Sequence, residues 1–117
     1  MRFARDESDR HVAILQVDAS LNEEAGGDVV ALLERLIDEG VRKLIVDGTS
    51  LSYISSGGLS ILIRLHHRMR KRGGDMMLAG FHGDPMQALV MTRLDRVFQV
   101  HADLAEARAA FQSHQPV

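Results

Sequence analysis

The sequence contains no cysteine, and this absence excludes both disulfide bonds and metal sites built from thiolates. It also has no apolar run approaching the roughly 20 residues that a membrane-spanning helix requires. Residues 1–10 are rich in charge and contain no apolar stretch resembling a signal peptide. We therefore expect a cytoplasmic protein that inserts into no membrane. The 117 residues, 45% of them hydrophobic, suffice for a single domain over residues 1–117 with one core.

An overall basic excess is also missing, because the formal net charge is -2. Residues 1–40 carry ten acids and four bases, whereas residues 41–74 carry seven bases and one acid. A nucleic-acid-binding domain usually has a basic excess over its whole surface, so we expect no direct contact with nucleic acid. The basic side chains instead indicate either a solvated helix face or a surface that steers an acidic partner. They are Arg64, His66, His67, Arg68, Arg70, Lys71 and Arg72.

Segments typical of strands and of helices alternate along the chain. Residues 11–19, rich in β-branched and aliphatic residues, are predicted to form a strand, and residues 2–5 a shorter strand that pairs with it as a hairpin. Residues 43–47, 76–80 and 97–100 are further short strand segments. Helical spacing of apolar residues begins near Asn22 or Asp28, at Ser55, at Asp84 and at Asp103. The third helix is predicted to have Pro85 as its first residue and to run through Leu94. This alternation predicts an α/β fold with a mainly parallel or mixed sheet of four to five strands and about four helices.

Two serines and two glycines, Ser55 to Gly58, follow a buried strand and open the second helix. The first turn of a helix has unpaired N–H groups and a partial positive charge, so it accommodates a phosphate on or beside Ser56. The same residues also fit a simple N-cap serine with glycines that allow tight packing. The turn lacks the lysine of a P-loop and the third glycine of a dinucleotide fingerprint, so no nucleotide or other cofactor is predicted.

Three stretches of the chain resemble the STAS domain, the fold of bacterial anti-sigma factor antagonists. They are residues 44–47, 53–59 and 72–80, and the ending over residues 94–100 and 104–107 matches the same family. In that family a serine at the start of this helix is phosphorylated by a partner that is both anti-sigma factor and serine kinase. The resemblance places Ser56 on that serine, Gly58 on a glycine and Leu59 on a leucine. It implies a partner-switching regulator.

One position departs from the family pattern, because Ser55 stands where an aspartate is usual. The change removes a carboxylate next to the acceptor and makes Ser55 an alternate phosphorylation site. The strand that precedes the turn ends at Asp47, which either contacts the partner or caps its own turn. The residues that the resemblance implies for partner binding are Asp47, Tyr53, Ser55, Ser56, Gly57, Gly58 and Leu59.

Two other functions stay open from the sequence. One is a STAS binding module of a lipid-transport or signalling assembly in which the serine is never modified. The other is a small-molecule sensor or weak hydrolase in the crevice above Asp47 and Ser56. The pattern argues against an enzyme, because Ser56 has no neighbouring histidine and the turn is not a Gly-x-Ser-x-Gly elbow.

No metal site is predicted either. Adjacent helical residues such as His66 and His67 point about 100° apart and do not converge on one ion. Met86 and Met91 either fill the core or line a groove that receives a partner. The pattern of apolar residues leaves a homodimer open.

Overall fold

The strands are short apolar segments that the sequence separates with turns and helices. In the computed structural model, which describes residues 1–113 apart from the side chains of Ala25 and Ser113, seven strands are present. They are β1 (Arg2–Arg5), β2 (Val12–Gln16), β3 (Ala19–Leu21), β4 (Lys43–Asp47), β5 (Leu51–Ile54), β6 (Asp75–Ala79) and β7 (Gln99–His101). The helices are α1 (Gly26–Asp38), α2 (Ser56–Lys71), α3 (Gly83–Met91) and α4 (Leu104–Ser113).

Five strands of the described chain form a mixed sheet in the order β1-β2-β4-β6-β7. β1 is antiparallel to β2, and the pairs β2–β4, β4–β6 and β6–β7 are parallel. The predicted α/β class, the mixed sheet and the four helices are therefore confirmed.

A second, two-stranded parallel sheet pairs β3 with β5, and the sequence did not predict it. The prediction extended the second strand through residue 19, although β2 ends at Gln16. β3 has only three residues, two of them exposed, and β5 is buried only at its two ends. Neither segment shows the alternation of buried and exposed residues that identifies a strand.

The five-stranded sheet is covered on both faces, which explains the continuous apolar runs of β4 and β6. Leu44 and Val46 point to one face, where they join the core formed with α1, α2 and α3. Ile45 points to the opposite face and packs with Ala107 and Phe111 of α4. This arrangement leaves the start of α2 on the three-helix side, at the edge where β4 ends.

Several predicted helix boundaries were wrong by a few residues. Asn22 caps a 3₁₀ turn, Glu23–Ala25, that precedes α1, and its side chain accepts a hydrogen bond from Glu24 N at 3.1 Å. α3 begins two residues before Pro85 and ends at Met91, because Arg93 adopts a left-handed φ of 61° that interrupts the helix. Leu94 lies in a second 3₁₀ turn, and the last strand is Gln99–His101.

The predicted cap of the last helix is confirmed. Asp103 Oδ1 accepts a hydrogen bond from Glu106 N at 2.8 Å. Among residues 1–113, no helix has both the length and the apolar character needed to cross a membrane.

Candidate partner-binding site

The turn that begins α2 is fixed to the neighbouring strand β3. Ser55 follows β5 directly, and its N–H donates to the Leu21 carbonyl oxygen at 3.0 Å. Because β3 and β5 run parallel, this bond extends their pairing into the turn. The short second sheet, which the sequence did not predict, therefore sets where α2 starts.

Ser55 is the N-cap of α2, with extended backbone angles of φ -86° and ψ 171°. Its Oγ accepts a hydrogen bond from Gly58 N at 3.0 Å. The same oxygen lies 3.2 Å from Glu23 Oε2 and 3.5 Å from the Leu21 carbonyl oxygen, so its proton has an acceptor as well. The hydroxyl is half-buried and engaged, as the N-cap interpretation of one serine predicts.

Ser56 is the first residue of α2, and its side chain is exposed. Its carbonyl oxygen accepts from Ser60 Oγ at 3.2 Å. Within residues 1–113, its own hydroxyl makes no hydrogen bond, in contrast with the hydroxyl of Ser55. The structure therefore places the hydroxyl of Ser56 in reach of another molecule at the positive end of a helix.

The two glycines allow a close approach at the start of α2. A Cβ on Gly58 would collide with the Leu21 carbonyl oxygen and lie 2.8 Å from Ile54 Cγ1. A Cβ on Gly57 would collide with the Glu23 carboxylate. The tight packing that the sequence suggested is therefore present at both positions.

Glu23 is the residue of this site that the sequence did not reveal. It lies 32 positions before Ser55 in the chain, and Ser55 Oγ donates to its carboxylate. No motif connects the two residues, because their proximity depends on the pairing of β3 with β5.

Asp47 caps the turn that follows its own strand. Its Oδ1 accepts from Thr49 N at 3.0 Å and from Thr49 Oγ1 at 2.6 Å. Across the described part of the chain, Asp47 has no side-chain hydrogen bond to residues 55–59. The geometry is that of an ordinary Asx turn, and contact with a partner stays a prediction for this residue.

Several apolar side chains of β5 and α3 are exposed. Tyr53, on β5, is 57% exposed, while Leu59 is half-buried and packs against the main core. α3 packs beside β5 and leaves Val90 and Met91 at 50% and 77% exposure. Tyr53, Val90 and Met91 are therefore exposed apolar side chains on two elements that pack together.

The basic side chains on α2 and at its C-cap, Arg72, mostly join the helix to its neighbours. Arg72 lies 3.1 Å from Glu34 and 2.8 Å from Asp38, and Arg68 lies 3.0 Å from Glu34. The hydrogen bond to Asp38 raises the pKa of the Arg72 guanidinium. Arg70 lies 3.6 Å from Asp75. These pairs link α2 to α1 and to β6, which leaves less of the basic charge for steering a partner.

His66 is the most buried of the basic side chains on α2. It packs edge-on against Phe98, with 5.1 Å between the ring centroids, and its Nε2 lies 3.6 Å from Asp75 Oδ1. Burial lowers the pKa of His66, and the attraction of Asp75 only partly opposes this effect. Over residues 1–113, no group of three or more histidine, aspartate or glutamate side chains is arranged to hold a metal ion.

A groove of about 570 Å³ lies between β1 and α1, on a different part of the surface. Its walls include Phe3, Leu15 and Leu32, and none of residues 55–59 lines it. It therefore contributes nothing to the site at the start of α2.

Comparison with known proteins identifies a family and a fold. The family model of the STAS domain matches residues 4–107. BtrV of Bordetella bronchiseptica, which is named as an anti-sigma factor antagonist, is 27% identical over 86 residues, or 74% of each chain.

Three solved structures share the fold over almost their full length. A Thermotoga maritima protein described as an anti-sigma factor antagonist superposes with a TM-score of 0.83 at 19% identity, covering 95% of this chain and 93% of that one. The anti-sigma factor antagonist SpoIIAA in its unphosphorylated form has a TM-score of 0.80 at 16% identity, covering 98% and 100%. The phosphorylated form of Bacillus SpoIIAA has a TM-score of 0.71 at 15% identity, covering 94% and 99%.

Proposed function

Because the chain belongs to the STAS domain family, we propose that it is an anti-sigma factor antagonist controlled by phosphorylation of Ser56. Unphosphorylated, it binds a serine kinase that is also an anti-sigma factor, and the sigma factor is released. The names of BtrV and SpoIIAA support this class of function. The docking surface comprises the start of α2 and the exposed Tyr53 beside it.

The observation that carries the proposal is the contrast between the two serine hydroxyls. The oxygen of Ser55 caps Gly58 N, and its proton is directed to Glu23 or Leu21. Ser56 is exposed, and phosphorylation there breaks no hydrogen bond of the described chain. A kinase therefore reaches Ser56 without uncapping α2, whereas modification of Ser55 would remove the cap.

The reaction is an ordinary phosphoryl transfer. The bond from Ser56 Oγ to the γ-phosphorus of ATP forms as the bond to the β-phosphate oxygen breaks, so that ADP leaves. The kinase supplies the base that takes the hydroxyl proton. The product adds about 1.5 to 2 negative charges at the first residue of α2. Since a helix N-terminus tolerates an anion, the phosphate changes the charge of the docking surface without unfolding α2.

The chain itself has no catalytic role in this proposal. A serine nucleophile needs a base in hydrogen-bond reach. Within the described residues, neither Ser55 nor Ser56 makes a hydrogen bond to a histidine. All the chemistry of the switch therefore belongs to the kinase, and this chain supplies the acceptor and the surface.

Incubation with its cognate kinase/anti-sigma factor and ATP tests the proposal. We expect one phosphate, located on Ser56 by mass spectrometry, and a complex that forms only before phosphorylation. Ser56→Ala should bind but take up no phosphate, and Ser56→Asp should weaken binding by roughly tenfold or more through charge in the interface.

Ser60→Ala is the matched control, because Ser60 is exposed one turn further along the same helix. It should be phosphorylated and should bind like the wild type. The proposal would be contradicted if no phosphate appeared on a serine of the turn and no complex formed. A complex without phosphorylation would favour a STAS binding module of a lipid-transport or signalling assembly.

A further inference from the structure

Glu23 contacts both chain neighbours of Ser56. Ser55 Oγ donates to its Oε2 at 3.2 Å, and the Glu23 side chain occupies the space in which a Cβ of Gly57 would lie. The 3₁₀ turn that carries Glu23 is itself held by Asn22, whose side chain accepts from Glu24 N. The carboxylate therefore reaches the start of α2 from a fixed segment of another part of the chain.

The negatively charged group beside the start of α2, the Glu23 carboxylate, lies outside the helix. In the described structure, α2 has no acidic residue in its first turn. Acidic groups near a helix N-terminus interact favourably with its partial positive charge. Glu23 therefore fills the role that an acid within the helix usually has.

We infer that Glu23 is a positioning residue of the phosphorylation site, and that phosphate on Ser56 displaces its carboxylate from the start of α2. This inference rests on the proposed function of Ser56. The unmodified protein has one anion beside the helix end, and it orients the Ser55 hydroxyl that caps Gly58 N. A phosphate on the residue between Ser55 and Gly57 brings a second anion to the same place, and like charges repel.

The displacement would carry the phosphorylation signal beyond α2. Glu23 belongs to the turn that leads directly into α1, and this turn packs against α2 in the unmodified protein. When the carboxylate leaves, the contact between the start of α1 and the start of α2 weakens. The docking surface then changes in shape as well as in charge.

A double-mutant cycle with Ser56→Asp and Glu23→Gln measures this coupling without a kinase. Asp supplies the negative charge, and Gln keeps a group that accepts the Ser55 hydrogen bond while removing the charge of Glu23. Ser56→Asp should lower the Tm less, or raise it more, in the Glu23→Gln protein than in the wild type, because the repulsion from Glu23 is absent. We expect a difference of at least about 2 °C at low salt, which falls when the ionic strength is raised.

Glu24→Gln is the matched control, since Glu24 lies in the same 3₁₀ turn and its side chain is exposed. Its cycle with Ser56→Asp should show a clearly smaller difference. Equal coupling in the two cycles, or none for Glu23, would overturn the inference about Glu23. Either result leaves the proposed function intact, because the cycle does not measure phosphorylation. Conversely, absence of kinase activity on Ser56 would not alter the coupling.

Discussion

At the scale of single residues, Gly57 and Gly58 face obstacles of different kinds. A Cβ on Gly58 would meet backbone, the Leu21 carbonyl oxygen, which the pairing of β3 with β5 holds in place. A Cβ on Gly57 would meet the carboxylate of Glu23, which can rotate away, and also Glu23 Cβ at 2.8 Å, which moves only with its own backbone. Rigid backbone cannot move aside as a side chain can, so the two positions differ in what they tolerate.

Gly58→Ala should therefore lower the free energy of unfolding by roughly 1–3 kcal/mol, the usual range for overpacking. Gly57→Ala should lower it by less, because the higher helix propensity of alanine, about 1 kcal/mol, offsets part of the cost of shifting Glu23. Urea unfolding of the two variants measures both values. Equal losses at the two positions would show that the Leu21 backbone moves aside as easily as Glu23.

The burial of His66 predicts that the stability of the fold depends on pH. Burial against Phe98 lowers its pKa from the ordinary value of 6.5, so the unfolded chain binds the proton more tightly than the folded one. The other groups that face it are Asp75, Arg70 and His67. The contribution is fully present above the unfolded pKa and is lost as the pH falls through the lowered, folded pKa.

The urea midpoint should therefore decrease as the pH falls below about 6.5. His66→Gln should flatten part of this decrease, whereas His67→Gln, at an exposed neighbouring position, should leave it unchanged. Unfolding curves collected at several pH values between 5 and 8 provide the comparison. The same slope in wild type and His66→Gln would assign the pH dependence to other groups.

At the scale of elements, α2 contacts the core through its apolar side chains and its neighbouring elements through its charged ones. Its buried side chains, such as Leu62 and Leu65, pack into the core, and its basic residues pair with α1 and β6. Its first turn is attached to β3 through Ser55 and Gly58. Because contacts hold both ends of the helix, the backbone at Ser56 has a fixed position in the fold.

Substitution of the capping serine, Ser55, should destabilise the protein more than substitution of Ser56. Ser55→Ala removes the acceptor of Gly58 N and should lower the free energy of unfolding by about 1 kcal/mol, within the usual range for N-caps. Ser56→Ala, its matched control, should stay within about 0.5 kcal/mol of the wild type because the side chain is exposed. Thermal or urea unfolding checks both. The reverse order would mean that Ser56, and not Ser55, caps the helix.

At the scale of the whole molecule, the sheet separates two apolar cores. The larger core holds α1, α2 and α3, and the smaller one lies under α4 on the opposite face. Ser56 belongs to the three-helix side. Substitutions in the smaller core should therefore affect stability without altering the docking surface.

Phe111→Ala tests this separation. Phe111 is buried in the smaller core, so its truncation should lower the free energy of unfolding by about 3 kcal/mol. Partner binding and phosphorylation of Ser56 should stay unchanged under conditions in which the variant is folded. Loss of partner binding by a folded variant, with its circular dichroism spectrum intact, would show that the two faces are coupled.

Much of this protein followed from the sequence alone. The order of the four helices and of the five strands of the main sheet, the α/β class and the position of the turn at Ser55 to Gly58 depend on local periodicity and on turn residues, which the sequence displays directly. Other features depended on contacts between distant segments. The pairing of β3 with β5, the approach of Glu23 and the different surroundings of the two serines join residues more than 30 positions apart. No local pattern encodes such contacts, so only the tertiary structure decided that Ser55 is the cap and Ser56 the exposed hydroxyl.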